Sequence, residues 1–114
     1  PLYQKETKLL LKKCVETGHS KHISVLINTN TTIYAPEFVE YLTQFRKVYL
    51  NFSVDDVGPR FEYLRKNANW AQANDHIGKF VAGGGVTDGD VLQCKICCTV
   101  SSLNVYYLPG VLEW

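Results

Sequence analysis

Methionine is absent from all 114 residues, and the first residue is Pro1. A chain with no translation start reads as a fragment or a trimmed product. No apolar run reaches the roughly 18 residues of a membrane helix, and no charged-then-apolar leader opens the sequence. A membrane partner is therefore not expected, and a cytoplasmic location is. A surplus of one charge sign is lacking too: 12 Lys and Arg face 11 Asp and Glu, a formal net charge of +1. Without a basic field to gather phosphates, nucleic acid is not an expected partner. What is present, 46% hydrophobic and 20% charged residues, is the composition of one modest folded domain rather than of a disordered chain.

The cysteines are few, and three of the four crowd into Cys94-Lys95-Ile96-Cys97-Cys98. On a strand, alternate residues point to opposite faces, so Cys94, Ile96 and Cys98 share one side and Cys97 takes the other. That geometry does not converge on a metal. All four, Cys14 included, are expected to serve as small core hydrophobes in a reducing compartment. His19 and His22 could pair on a metal only from a helix, and the neighbouring Gly18 and Ser20 favour a surface loop.

Along the chain, elements alternate. Leu2 to Glu16 spaces Leu9, Leu10, Cys14 and Val15 helically among lysines, and Gly18 suits the C-cap. Ile23 to Ile27 reads as a buried strand that ends in the polar cluster Asn28-Thr29-Asn30-Thr31-Thr32. Pro36 and Glu37 open a second helix, whose inner face is Phe38, Val39, Tyr41, Leu42 and Phe45. Val48 to Ser53 is a second strand running into Asp55, Asp56 and a Gly58-Pro59 break. Helical pieces follow at about Arg60 to Lys66 and Trp70 to Phe80, with a break at Asn67.

Gly83-Gly84-Gly85 and Asp88-Gly89-Asp90 are turn chemistry. The triple glycine follows a helix and precedes a strand, the reverse of the order that aims amides at phosphate. Val91 to Val100 is the third strand, and Tyr106 to Trp114 could start a further helix. Such alternation predicts an α/β fold of about three parallel strands with intervening helices, whose polar C-terminal ends line one edge. Two generic readings stay open: a non-catalytic α/β ligand-binding or protein-interaction module, and a doubly wound nucleotide-binding domain. The second lacks its Gly-rich strand-to-helix turn.

Four strings in order resemble a known family: Asn28 to Thr32, Asn51-Phe52-Ser53-Val54-Asp55-Asp56, Arg60-Phe61-Glu62-Tyr63-Leu64-Arg65 with Trp70, and Thr99-Val100-Ser101 with Asn104. They look like the middle of a radical S-adenosylmethionine enzyme of the twitch or SPASM subgroup. That family has a T-N-G turn after its third strand, an S-x-D end on its fourth, and an arginine-bearing helix next. Pro1-Leu2 is similar to the tail of its Gly-Gly-Glu-Pro motif. The chain would then be a central fragment, residues 1–114, running from helix 2 through strand 5 of a partial (β/α)6 TIM-like barrel.

The resemblance implies S-adenosylmethionine as cofactor and a [4Fe-4S] cluster whose Cys-x3-Cys-x2-Cys ligands lie upstream of this chain. It also implies an electron donor such as a flavodoxin or ferredoxin, a 5′-deoxyadenosyl radical as the reactive species, and a small-molecule or peptide substrate. Ser53 and Asp55 match the ribose-contacting position, and Arg65 the arginine that reaches the methionyl carboxylate. Thr29 and Asn30 match the turn near the cofactor, while Thr99, Ser101 and Asn104 fall on the adenine or substrate side. This sequence departs in having Thr31 where the turn has Gly, and in lacking the fifth-strand glycine signature. Three strands without neighbours would leave open edges and an exposed apolar barrel interior, and so a marginal, aggregation-prone piece that is inactive alone.

Overall fold

Alternating apolar residues put Val48, Leu50 and Phe52 on one side of the second strand, and all three are almost fully buried. In a computed structural model, which describes residues 4–84 and 89–114, that strand is the centre of a three-stranded parallel sheet. The strands are β1 (Ser24–Thr29), β2 (Lys47–Ser53) and β3 (Leu92–Cys97), in spatial order β1-β2-β3. The register sets Ile27, Leu50 and Cys94 in one row, and Asn28, Asn51 and Lys95 in the next.

The α-helices are α1 (Lys5–Glu16), α2 (Pro36–Leu42), α3 (Pro59–Leu64), α4 (Trp70–Gly83) and α5 (Leu108–Glu113). Leu11 of α1, Phe38 and Leu42 of α2, Phe61 of α3, and Ala73, Ile77 and Phe80 of α4 join the β2 side chains in one core. Phe80 stacks at 5.8 Å on Phe52, and Lys8 pairs with Glu37, which ties α1 to α2. Burying a Phe or Leu side chain is worth about 2 kcal/mol, so this one layer carries most of the fold. The helices thus cover the Val48–Leu50–Phe52 side of the sheet.

The opposite side carries Leu26, Asn28, Tyr49, Asn51, Ser53, Gln93, Lys95 and Cys97. Leu26 there is 62% exposed, and Asn28, Lys95 and Cys97 are exposed with it. An apolar barrel interior was the expectation for this side. The observed surface is largely polar, because the odd-numbered positions of β2 and β3 are Lys, Tyr, Asn, Ser, Gln and Cys.

Several boundaries differ from the sequence reading. His19 and His22 lie on a 3-10 turn, His19–His22, entered through Gly18 in the left-handed region (φ 76°). α4 runs on into Gly83, and β3 stops at Cys97, so Thr99 lies beyond the strand rather than on it. Gly84 caps α4 where a Cβ would stand 2.6 Å from the Leu92 side chain, so a glycine is what lets the helix end meet β3. Only Cys94 is a buried cysteine; Cys14 and Cys98 are half-buried and Cys97 is exposed, which corrects the expectation that all four fill the core. A 3-10 turn over Val105–Tyr107 leads into α5, so the C-terminal stretch is helical. The expected turns at Gly85 and Asp88, and the motif tail at Pro1-Leu2, lie outside the described residues. No helix among the described residues is long and apolar enough to cross a membrane.

Candidate functional site

All three strands point the same way, so their C-terminal ends lie side by side. The end of β2 is the hub. Asp55, two residues past the strand, accepts from Arg65 Nη2 through Oδ2 at 2.7 Å and from the Thr99 backbone N–H through Oδ1 at 3.0 Å. Arg65 sits just past α3, where the chain turns extended, and its guanidinium lies 5.7 Å over the Phe61 ring. The Asp55 carbonyl accepts from Asn104 Nδ2 at 2.6 Å, and the same amide donates to the Thr99 carbonyl at 2.9 Å. Asn104 Oδ1 accepts from the Ser101 N–H at 2.7 Å, and the Ser101 hydroxyl accepts from the Leu103 N–H. Five expected site residues, Asp55, Arg65, Thr99, Ser101 and Asn104, are therefore brought together.

Their roles differ from the expectation. Asn104 is buried, and its amide is spent on backbone groups, so it staples the loop after β3 onto the end of β2. Asp55 likewise has both carboxylate oxygens engaged within the protein. Arg65 is not saturated: its Nε is buried without a hydrogen-bond partner. Ser53 is half-buried on the uncovered side of the sheet, beside Cys97 in register.

Thr29 and Asn30 sit at the end of β1 and serve their own turn. The Thr29 hydroxyl accepts from the Thr31 N–H, and Asn30 Oδ1 accepts from the Thr32 N–H and hydroxyl. Thr31, in the place of the turn's glycine, adopts φ 65° while completely buried. A β-branched residue in that region is strained. His76 Nδ1 donates to its carbonyl at 2.7 Å, and Thr31's own hydroxyl donates to the Asn30 carbonyl, and these hold the turn in place.

Asp56, the second carboxylate after β2, is fully buried. It accepts from the Val57 N–H at 2.8 Å and from Arg60 Nε at 3.0 Å, organising the entry to α3. Arg60 also lies 4.3 Å over Tyr107, which draws the C-terminal segment in. The Cys98 thiol is pushed above its ordinary value by burial, with the Asp55, Asp56 and Cys97 charges adding to the shift.

The sequence reading missed Asn51 and Lys95. Asn51 Nδ2 donates to Asn28 Oδ1 at 3.0 Å, and the Lys95 ammonium lies 5.5 Å from the Tyr49 ring centre, all on the uncovered side. The signal was present as strict alternation in Val48 to Ser53, where every second residue is polar or amphipathic. On the other side, Phe52, Ile77, Val81, Cys94, Leu112 and Trp114 line an apolar groove of about 560 Å³ between α4, the edge of β3 and α5, with Lys95 of the edge strand also in its lining.

Among the described residues, no group of three or more His, Cys, Asp or Glu side chains could hold a metal ion. Comparison with protein-family models, with curated proteins and with solved structures finds no match to this chain.

Proposed function

We propose that this chain is the central part of a radical S-adenosylmethionine enzyme, an arc of a (β/α)6 barrel that holds the cofactor at its strand ends. The observation that carries the reading is the winding: sequential parallel strands, the core helices on one face, and three polar strand ends along one edge. Barrels are wound in that manner, whereas doubly wound domains put helices on both faces. The positive φ of Thr31, where the family's turn carries glycine, supports the same reading.

The residues fit the cofactor in part. Ser53 offers a hydroxyl at a strand end for a ribose hydroxyl, and Arg65, a quarter exposed and bound to Asp55 through Nη2, offers a guanidinium for a carboxylate. Asp55 orients Arg65 and Asn104 holds the loop after β3 rather than touching the ligand, since their polar atoms are already engaged. Thr99 and Ser101 are exposed and border the site, and Thr29 with Asn30 shape the turn on its other flank. When bound, the cofactor, together with an iron–sulfur cluster held elsewhere, supplies the radical hydrogen-abstraction chemistry. This chain's work is to bind, orient and exclude water.

The test is anaerobic reconstitution, with iron and sulfide, of a protein that includes the coding sequence upstream of Pro1. Cluster absorbance and 5′-deoxyadenosine are expected, with S53A and R65A lowering cofactor affinity. An upstream frame with no three-cysteine loop overturns the proposal. One observation favours a second reading, a non-catalytic α/β ligand-binding or interaction module: Asp55, Asn104, Thr29 and Asn30 spend their side chains on internal bonds. Under that reading S53A and R65A leave function untouched.

A further inference from the structure

The uncovered side of the sheet has a charge pattern of its own. Ser24, Leu26 and Asn28 of β1, Lys47, Tyr49, Asn51 and Ser53 of β2, and Gln93, Lys95 and Cys97 of β3 include two lysines and no carboxylate. The nearest acid at the strand ends, Asp55, is neutralised by Arg65 at 2.7 Å. No carboxylate among the described residues pairs with Lys95; its ammonium rests over Tyr49.

Asn28, Asn51 and Lys95 are register partners across three adjacent strands, a row spanning about 10 Å. The Asn51-to-Asn28 hydrogen bond holds the two amides side by side and uses neither the Asn28 Nδ2 donor nor the Asn51 Oδ1 acceptor. Ser53 and Cys97 form the next row, toward the strand ends. A cation, an amide pair and an aromatic ring on one face, with no carboxylate among the strand residues of that face, complement an anion that also accepts hydrogen bonds.

We infer that the row Asn28–Asn51–Lys95 is a binding site for a small carboxylate-bearing molecule, which rests on the proposed function and names the substrate class of that same strand-end site. Lys95 supplies the counter-charge, Asn28 donates to the anion or to its neighbouring oxygen, and Tyr49 is the floor. A carboxylate suits the row better than a phosphate. Phosphate sites use several backbone N–H groups from a helix N-terminus or a glycine turn, whereas this row offers side chains. Ser53, the next residue along on the same face of β2, lies between this row and the strand end.

Nuclear magnetic resonance titration of the protein that includes the coding sequence upstream of Pro1 tests this with glutarate. Its neutral isostere glutaramide and inorganic phosphate are the controls. Glutarate is expected to shift the Asn28 and Asn51 side-chain amide resonances saturably, with K95Q weakening it about tenfold and K95R restoring part of the loss. Lys95 is exposed, so its substitution leaves the fold intact and the spectrum dispersed. Equal shifts by glutaramide, or K95Q binding glutarate as wild type does, overturns the inference; tighter phosphate binding overturns the carboxylate class. S-adenosylhomocysteine, titrated into the same sample, reads the Ser53 position separately. If it shifts nothing while glutarate still acts on Asn28 and Asn51, the cofactor reading falls and the anion site stands. The reverse pattern overturns the anion site alone.

Discussion

The Asp55 carboxylate bridges Arg65, ten residues downstream, and the Thr99 N–H, on the far side of β3, with 2.7 Å and 3.0 Å bonds. One side chain thereby couples the end of β2, the exit of α3 and the loop that follows β3. The pair is only a fifth to a quarter exposed, so solvent screens it less than a surface ion pair.

Removing that bridge separates its two halves. D55A leaves the Arg65 guanidinium and the Thr99 N–H without their partner and is expected to cost about 2 kcal/mol. D55N keeps an acceptor for Thr99 and loses the charge, and should cost about half as much. Urea unfolding of the two variants reads the difference as a shift in midpoint at constant slope. Equal costs would mean that the charge on Asp55 does nothing for the fold.

Asn104 makes a sharper case, because its amide has two ends with opposite jobs. N104A leaves the Asp55 carbonyl and the Ser101 N–H unpaired in a buried setting, a loss of about 2–3 kcal/mol. N104D keeps the acceptor for Ser101 but turns an oxygen toward the carbonyls of Asp55 and Thr99, so it should be at least as damaging. Hydrogen exchange at Ser101 distinguishes them: N104A should expose that amide, and N104D should leave it protected.

The sheet and its helices were legible in the sequence because burial imposes a period. Val48, Leu50 and Phe52 alternate with polar neighbours, and Phe38 and Leu42 recur at helical spacing. Convergence of Asp55, Arg65, Thr99, Ser101 and Asn104 followed from parallel strands ending together. Their wiring was not legible. Hydrogen bonds such as Asn104 to Asp55 span 49 residues and depend on where a loop folds back, which no local pattern encodes. The polar row of Asn28, Asn51 and Lys95 was written in the alternation, but a polar residue on a strand is silent about its face until the helices choose the other one.

Thr31 offers a test of backbone strain. Held at φ 65° and fully buried, it would gain about 1 kcal/mol of backbone relief from glycine and lose a similar amount of burial and of the hydroxyl bond to Asn30. T31G should therefore be close to neutral. T31V keeps the β-branch and the strain while losing the hydroxyl, and is expected to be destabilised by about 1 kcal/mol or more. Thermal unfolding ranks the two; T31V more stable than T31G would show that burial, not the left-handed conformation, governs the turn.

The raised thiol of Cys98 leads to a pH dependence whose sign is fixed. Burial and the charges of Asp55, Asp56 and Cys97 favour the neutral thiol, so the folded protein holds this proton more tightly than the unfolded chain does. The group's contribution to stability is then fully present below the unfolded thiol value of about 8.5 and is lost as pH rises through the folded value. Stability should decline over that alkaline window, and C98A should flatten the decline while leaving the neutral-pH slope alone. Alkylation by iodoacetamide checks the same point residue by residue. The exposed Cys97 should react ahead of Cys98 near pH 8 and the buried Cys94 last, and D55N should move the Cys98 reactivity profile to lower pH. A Cys98 profile unmoved by D55N would remove the Asp55 carboxylate from the account and leave burial, the largest cause, with Asp56 and Cys97.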